Sequence, residues 1–171
     1  MTPILAFDIE TIPDVNGIRQ LYDLPADSPD NEVVLFAQQQ RRAKTGSDFM
    51  QHHLHQVVAI SCCMRWGQDK IRVSTIGDPE DSEEIMIAKF FEVIENYTPQ
   101  LVSWNGGGFD LPVLHYRALI HGISAARYWD MGDGDFGDSR DWRRWSGPRS
   151  RSGRRAGRGC GPGRGRGRRR S

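Results

Sequence analysis

Two acids stand one residue apart at the end of an apolar run near the N-terminus, Asp8 and Glu10 within Ile4-Leu5-Ala6-Phe7-Asp8-Ile9-Glu10-Thr11. Side chains two apart on a β-strand share a face, so both carboxylates would aim at one point. Neighbouring carboxylates repel, and a cation between them relieves the repulsion. A third acid, Asp110, follows the glycine turn Asn105-Gly106-Gly107-Gly108 and opens a helix. Three carboxylates converging with oxygen ligands only would suit Mg²⁺ or Mn²⁺ rather than zinc. Two such ions ~3.5–4 Å apart can activate a water and stabilise the departing oxygen in phosphodiester cleavage. Each piece alone has a plainer account: Asp-x-Glu is common at strand ends, Asp110 can serve as an N-cap, and three glycines can be only a turn. The combination, in this order, carries the reading.

The elements that must hold these acids read as follows. Residues 3–9 form a strand that stops at Pro13. Residues 14–55 are an excursion with one helix, capped by Ser28, with Pro29 at its first position and Gly46 at its end. Val33, Val34, Phe36 and Ala37 give that helix an apolar stripe. Residues 56–65 are a strand, and 70–76 are its hairpin partner through Gly67-Gln68-Asp69. A helix spans 79–97 with Asp78 as N-cap and Pro79 first, burying Ile87, Phe90, Phe91 and Ile94, and Pro99 closes it. Residues 100–104 are a short buried strand, and 110–121 start another helix. A meander followed by a right-handed strand–helix–strand crossover predicts an α/β fold, a mixed sheet with helices on its faces. If strands 3–9 and 100–104 pair in parallel, their carboxyl ends lie together at the sheet edge where open α/β sheets place ligands.

Composition divides the chain. Up to Asp130 there are 10 Lys and Arg against 18 Asp and Glu, a net of −8. From Met131 onward there are 13 Arg and 4 Asp, a net of +9, with 11 of the 19 glycines and no Val, Leu or Ile. Such a segment cannot bury enough apolar surface to offset its ordering entropy, so disorder is expected there. Cys62 and Cys63, side by side on a strand, would face opposite sides, and three cysteines do not make a disulfide framework. No run approaches the ~18 apolar residues of a membrane span and no signal-peptide pattern opens the chain, so a soluble cytoplasmic protein is expected.

Phe7-Asp8-Ile9-Glu10-Thr11 resembles the first motif of the four-carboxylate (DEDD) 3′–5′ exonucleases, which have a ribonuclease H-like fold. Trp104-Asn105-Gly106-Gly107-Gly108-Phe109-Asp110 resembles their second motif. With Leu111-Pro112-Val113-Leu114, Arg117-Ala118-Leu119 and His121-Gly122 following, the chain is similar to bacterial predicted exonucleases related to the proofreading domain of family B DNA polymerases. The resemblance covers about residues 1–138. It implies that Asp8, Glu10 and Asp110 hold two Mg²⁺ or Mn²⁺ ions and act in catalysis. It further implies that Thr11, Trp104, Asn105 and Phe109 contact or orient the terminal nucleotide. The implied reaction is hydrolysis of the terminal phosphodiester at a single-stranded 3′ end, DNA before RNA, with release of a nucleoside 5′-monophosphate.

The third motif of that family, a Tyr followed four residues later by the fourth Asp, has no counterpart: no Tyr follows Tyr128 and no Asp follows Asp141. Family-like sequence runs to about Asp138–Trp142 and then becomes Arg, Gly, Ser and Pro, which GC-rich codons yield when read out of frame. The expectation is a C-terminally incomplete ribonuclease H-like exonuclease domain over 1–138 and a frameshifted, disordered Arg/Gly-rich tail over 139–171. A domain short of one helix would leave sheet-facing apolar side chains wet at ~1.5–3 kcal/mol each, and impaired activity is expected. The alternative is a nucleic-acid-binding protein without catalysis that uses this tail, whose phosphate attraction would depend strongly on salt. His52, His53 and His55 look like ligands, but no acid or cysteine pattern completes a zinc set, and a polar loop leading into a strand accounts for them. His115 and His121 read as structural.

Overall fold

A computed structural model describes residues 2–129 of the chain. Four strands form one mixed sheet: β1 (Ile4–Pro13), β2 (His55–Trp66), β3 (Lys70–Thr75) and β4 (Gln100–Val102), in the order β3-β2-β1-β4. β2 runs antiparallel to both β1 and β3, and β4 runs parallel to β1, with Leu5 opposite Leu101 and Ala6 opposite Val102. Helices α1 (Val15–Tyr22), α2 (Asp30–Thr45), α3 (Glu83–Tyr97), α4 (Asp110–Ile120) and the short α5 (Ala126–Trp129) complete the described chain, with a 3₁₀ turn at His52–Leu54. This is the ribonuclease H-like α/β arrangement expected, a meander followed by a crossover through α3. Whether the fold is incomplete at its C-terminus, and the tail over 139–171, lie outside the described residues.

Strand alternation sets the core. Leu5, Phe7 and Ile9 of β1, Ile60 and Met64 of β2 and Leu101 of β4 are buried together with Ile87, Phe90, Phe91 and Ile94 of α3 and Val113 and Leu114 of α4. Phe7 meets Phe90 at a ring-centroid distance of 5.0 Å. The opposite face carries Ala6, Cys63 and Val73 in register, and on edge strand β3 Ile71 and Val73 remain 62% and 77% exposed. Cys62 packs towards the core and Cys63 away from it, as alternation requires. A second cluster, Ile18, Val33, Ala37, Met50 and Leu54, holds α1, α2 and the 3₁₀ turn together.

Four local expectations are corrected. β1 runs through Pro13 rather than ending at residue 9, because β2 extends back to His55 and pairs with it. The excursion holds two helices rather than one; α1 starts where Asp14 Oδ1 accepts from the Gly17 amide. Pro29, not Ser28, is the capping residue of α2: its carbonyl accepts from Glu32 and Val33, while the Ser28 carbonyl accepts from Arg19. α3 begins at Glu83 with Ser82 as N-cap. Asp78-Pro79 instead opens a turn in which Asp81 N donates to the Asp78 carbonyl, a use of proline at the second turn position that competes with helix initiation.

Candidate active site

β1 delivers the first two acids. Asp8 and Glu10 point away from the Leu5–Phe7–Ile9 face, and both are exposed. They oppose Ser61 and Ala59 of β2, and the ladder shifts register between Glu10 and Thr11. Such a bulge bends the strand and re-aims side chains at a sheet rim. Among the described residues neither carboxylate takes part in a salt bridge or side-chain hydrogen bond, whereas Asp14, Asp30, Asp48, Asp78, Asp81 and Glu83 all have cationic partners. Two hard oxygen donors side by side with no protein cation between them fit Mg²⁺ or Mn²⁺.

The second motif forms an arch from β4 to α4. Trp104 is 87% exposed, Asn105 is exposed and Phe109 is partly buried. The Asn105 carbonyl accepts from the amides of Gly108 and Phe109. Space, not backbone handedness, calls for glycine here: a Cβ at Gly108 would lie 2.5 Å from Asn105 Oδ1, and one at Gly106 would lie 3.0 Å from Ser103 Cβ. Asp110 is buried at the start of α4 and is not its N-cap; its Oδ2 accepts from Ser103 Oγ at 2.8 Å.

Thr11 is bound into an aromatic group that was not apparent from sequence. His55 Nδ1 lies 3.1 Å from Thr11 Oγ1, and His55 Nε2 lies 3.4 Å from the Met50 carbonyl. A carbonyl only accepts, so Nε2 carries the hydrogen, and in the neutral ring Nδ1 accepts from the Thr11 hydroxyl. Burial, with His52 nearby, holds the His55 pKa below its ordinary value against the opposing bond to Met50. The imidazole stands edge-on to Phe109 at 5.1 Å, and Phe49 contacts both rings, at 5.6 Å from Phe109 and 5.2 Å from His55. His55 thus joins the residue after Glu10 to the residue before Asp110. His52 and His53 lie in a 3₁₀ turn and His55 starts β2, and their rings pack on Phe109 and Tyr116.

α3, α4 and the residue before α1 share a buried ion network. Arg117 Nε donates to Glu83 Oε1 at 2.7 Å, its Nη2 donates to Glu83 Oε2, and its Nη1 donates to Asp14. Glu83 also accepts from the Val57 amide at 2.6 Å, and its Oε2 lies 2.9 Å from His121 Nε2. Burial opposes the Arg117 charge, but the bonds from Glu83 and Asp14 outweigh it and hold the guanidinium above its ordinary range. Asp14, Glu83, Arg117 and His121 line a cleft of about 700 Å³ with Gln56, Gln20 and His53. Arg117 interrupts the apolar stripe of Val113, Leu114 and Ala118, a pattern that in retrospect signals a buried pair.

Parallel pairing sets Val102, the last residue of β4, opposite Ala6, two residues before Asp8, and β1 runs on past that point to Pro13. Among the described residues, however, no three His, Cys, Asp or Glu side chains converge closely enough to hold a metal ion. Asp8 and Glu10 stand as an exposed pair and Asp110 is held separately by Ser103. Like charges with nothing cationic between them favour such separation. No helix of the described residues is long and apolar enough to cross a membrane.

Comparison with known proteins adds to this geometry. Over 39 residues the chain is 46% identical to DNA polymerase 1 of Sulfolobus acidocaldarius, covering 23% of this chain and 4% of that protein. The family B DNA polymerase from the hyperthermophilic archaeon Pyrobaculum calidifontis aligns over 73% of this chain and 12% of its own, at 21% identity and a TM-score of 0.38. The chain thus spans only a small part of either polymerase. A family model described as a predicted 3′–5′ exonuclease related to the exonuclease domain of PolB matches residues 47–155, which include the second motif and His55 but not Asp8, Glu10 or Thr11. That match takes in more than half of the chain, which belongs to this family of PolB-related exonuclease domains.

Proposed function

We propose that this chain acts as a divalent-metal-dependent 3′–5′ exonuclease domain, with Asp8, Glu10 and Asp110 as the residues that hold two Mg²⁺ or Mn²⁺ ions. The observation that supports the reading is the parallel pairing of β1 with β4, in which β4 ends opposite Ala6, two residues before Asp8, and leads on into the second motif. Bound there, the ions would supply an activated water and charge stabilisation for the departing oxygen. Thr11, Asn105, Phe109 and the exposed Trp104 would orient the terminal nucleotide, and the aromatic faces of Phe109 and Trp104 suit an unpaired base. The substrate is the single-stranded 3′ end of a nucleic acid, DNA before RNA, and the product is a nucleoside 5′-monophosphate.

The domain covers residues 1–138, and the Arg/Gly-rich sequence over 139–171 replaces the stretch in which a fourth carboxylate would stand. Activity below that of a relative with all four acids follows. The change in composition is the mark of a shifted reading frame; resequencing codons 130–150 tests it, and a single-base change that restores an apolar strand and a helix with Tyr and Asp would confirm it. An unaltered frame would make the basic tail genuine.

The test is a 5′-labelled single-stranded oligodeoxynucleotide incubated with the purified full chain, with and without Mn²⁺. A ladder shortening from the 3′ end only with Mn²⁺, lost in the D8A and E10A variants, is expected. No shortening, together with salt-sensitive binding that survives both substitutions, would instead favour a non-catalytic binding protein acting through its tail.

A further inference from the structure

Phe49 is 54% exposed, yet its backbone is fixed on both sides. Its amide donates to Ser47 Oγ at 3.2 Å and its carbonyl accepts from Arg41 Nε at 3.2 Å. The next residue, Met50, is buried in the α1–α2 cluster. A large aromatic ring is therefore held in solvent by a short, anchored segment. That arrangement leaves apolar area whose burial is favourable and little ordering entropy left to lose on binding. The ring lies against Phe109 and His55, and His55 in turn touches Thr11, so the exposed face continues the wall that leads to Glu10 on one side and Asp110 on the other.

We infer that Phe49, backed by His55 and Phe109, is a stacking platform for an unpaired base of the DNA strand whose 3′ end enters the carboxylate site. The inference rests on the exonuclease reading above and adds to it a residue from the excursion between β1 and β2. Charge does not draw a strand to this wall, so stacking is the attraction that the wall itself can offer. The chain up to Asp130 carries a net of −8, so this part offers no general phosphate attraction, and the two exposed acids add repulsion at the rim. Stacking needs no positive charge and tolerates any base, because every base has a π-face. An aliphatic protein segment would look for a groove of branched side chains; this wall is made of flat rings, two aromatic and one imidazole.

The experiment compares the full-length chain with F49A, F49L and F49W. Affinity for a fluorescein-labelled single-stranded oligo(dT) is measured with Ca²⁺ in place of Mn²⁺, at raised salt to suppress phosphate attraction by the tail. Kinetics on the same strand are then read with Mn²⁺. F49A and F49L should each weaken binding about tenfold and raise KM with kcat nearly unchanged, and F49W should restore both. F49L separates stacking from mere apolar contact, since it keeps bulk without a π-face. Affinity and KM within twofold of the parent in F49A, or full rescue by F49L, would overturn the platform while leaving the nuclease reading intact. A parent chain that neither binds nor shortens the strand would overturn both together.

Discussion

Ser103 Oγ donates to Asp110 Oδ2 across 2.8 Å, with both residues buried, so the end of β4 and the start of α4 are tied by a single bond across the glycine arch. Replacing the hydroxyl leaves a buried carboxylate oxygen without that partner, a loss worth about 1–3 kcal/mol. S103A should lower the urea midpoint accordingly and reduce Mn²⁺-dependent kcat/KM about tenfold, because Asp110 would no longer be held in one orientation. Unchanged stability and unchanged rate would remove Ser103 from the account.

Gly108 has no room for a side chain on the Asn105 side, the added Cβ lying 2.5 Å from Asn105 Oδ1. The amide is the end of a movable side chain, so G108A should fold. It would displace Asn105 from its place beside the arch, and the expected reading is a raised KM at little cost in thermal midpoint. Gly107 has nothing within 4 Å of its would-be Cβ and supplies the control: G107A should leave KM unaltered.

Arg117 answers two carboxylates, Glu83 and Asp14, and its side chain and that of Glu83 are each only 5% exposed. Truncating it strands two buried charges, a change that typically costs 3–5 kcal/mol against total stabilities of about 5–15 kcal/mol. R117M should therefore unfold at markedly lower urea. The R117M/E83Q/D14N triple variant should recover part of the loss, because it removes the stranded charges as well. A triple variant no more stable than R117M would show that packing, not charge, is what Arg117 provides.

Acid should loosen the His55 hub. Burial depresses the pKa of His55 in the fold, so the unfolded chain binds more protons in the window below about 6.5. The stability this group contributes is present above the unfolded value and is lost as pH falls through the folded one. His115, depressed by burial as well, acts in the same direction. The unfolding midpoint should fall between pH 7 and 5, and an H55N/H115N variant should show a flatter dependence. An equal slope in parent and variant would contradict the assignment.

The sheet and the crossover were legible because strands and helices announce themselves by period: Leu5, Phe7 and Ile9 alternate, and Ile87, Phe90, Phe91 and Ile94 fall on one helical face. Asp8 and Glu10 stood out for the same reason, as charged exceptions on the polar face of β1. Helix starts were less so, since Asp78-Pro79 suits a turn and a helix N-terminus equally well in composition, and only tertiary context chooses. The short α1 escaped because Val15–Tyr22 is barely two turns long and contains Gly17, too short a stretch for its period to stand out. His55, Phe49 and Ser103 were beyond local reading altogether: each acquires its role from a partner 7 to 60 positions away, through His55 with Thr11, Phe49 with Phe109 and Ser103 with Asp110.

The most direct measurement is an anomalous difference map from crystals of the full chain soaked in Mn²⁺. The expected result is manganese peaks at the rim of β1 with Asp8 and Glu10 as ligands and the Asp110 carboxylate joined to the same centre. Manganese bound elsewhere, or Asp110 remaining more than about 10 Å from the Asp8–Glu10 pair and so beyond the span of two bridged ions, would contradict it.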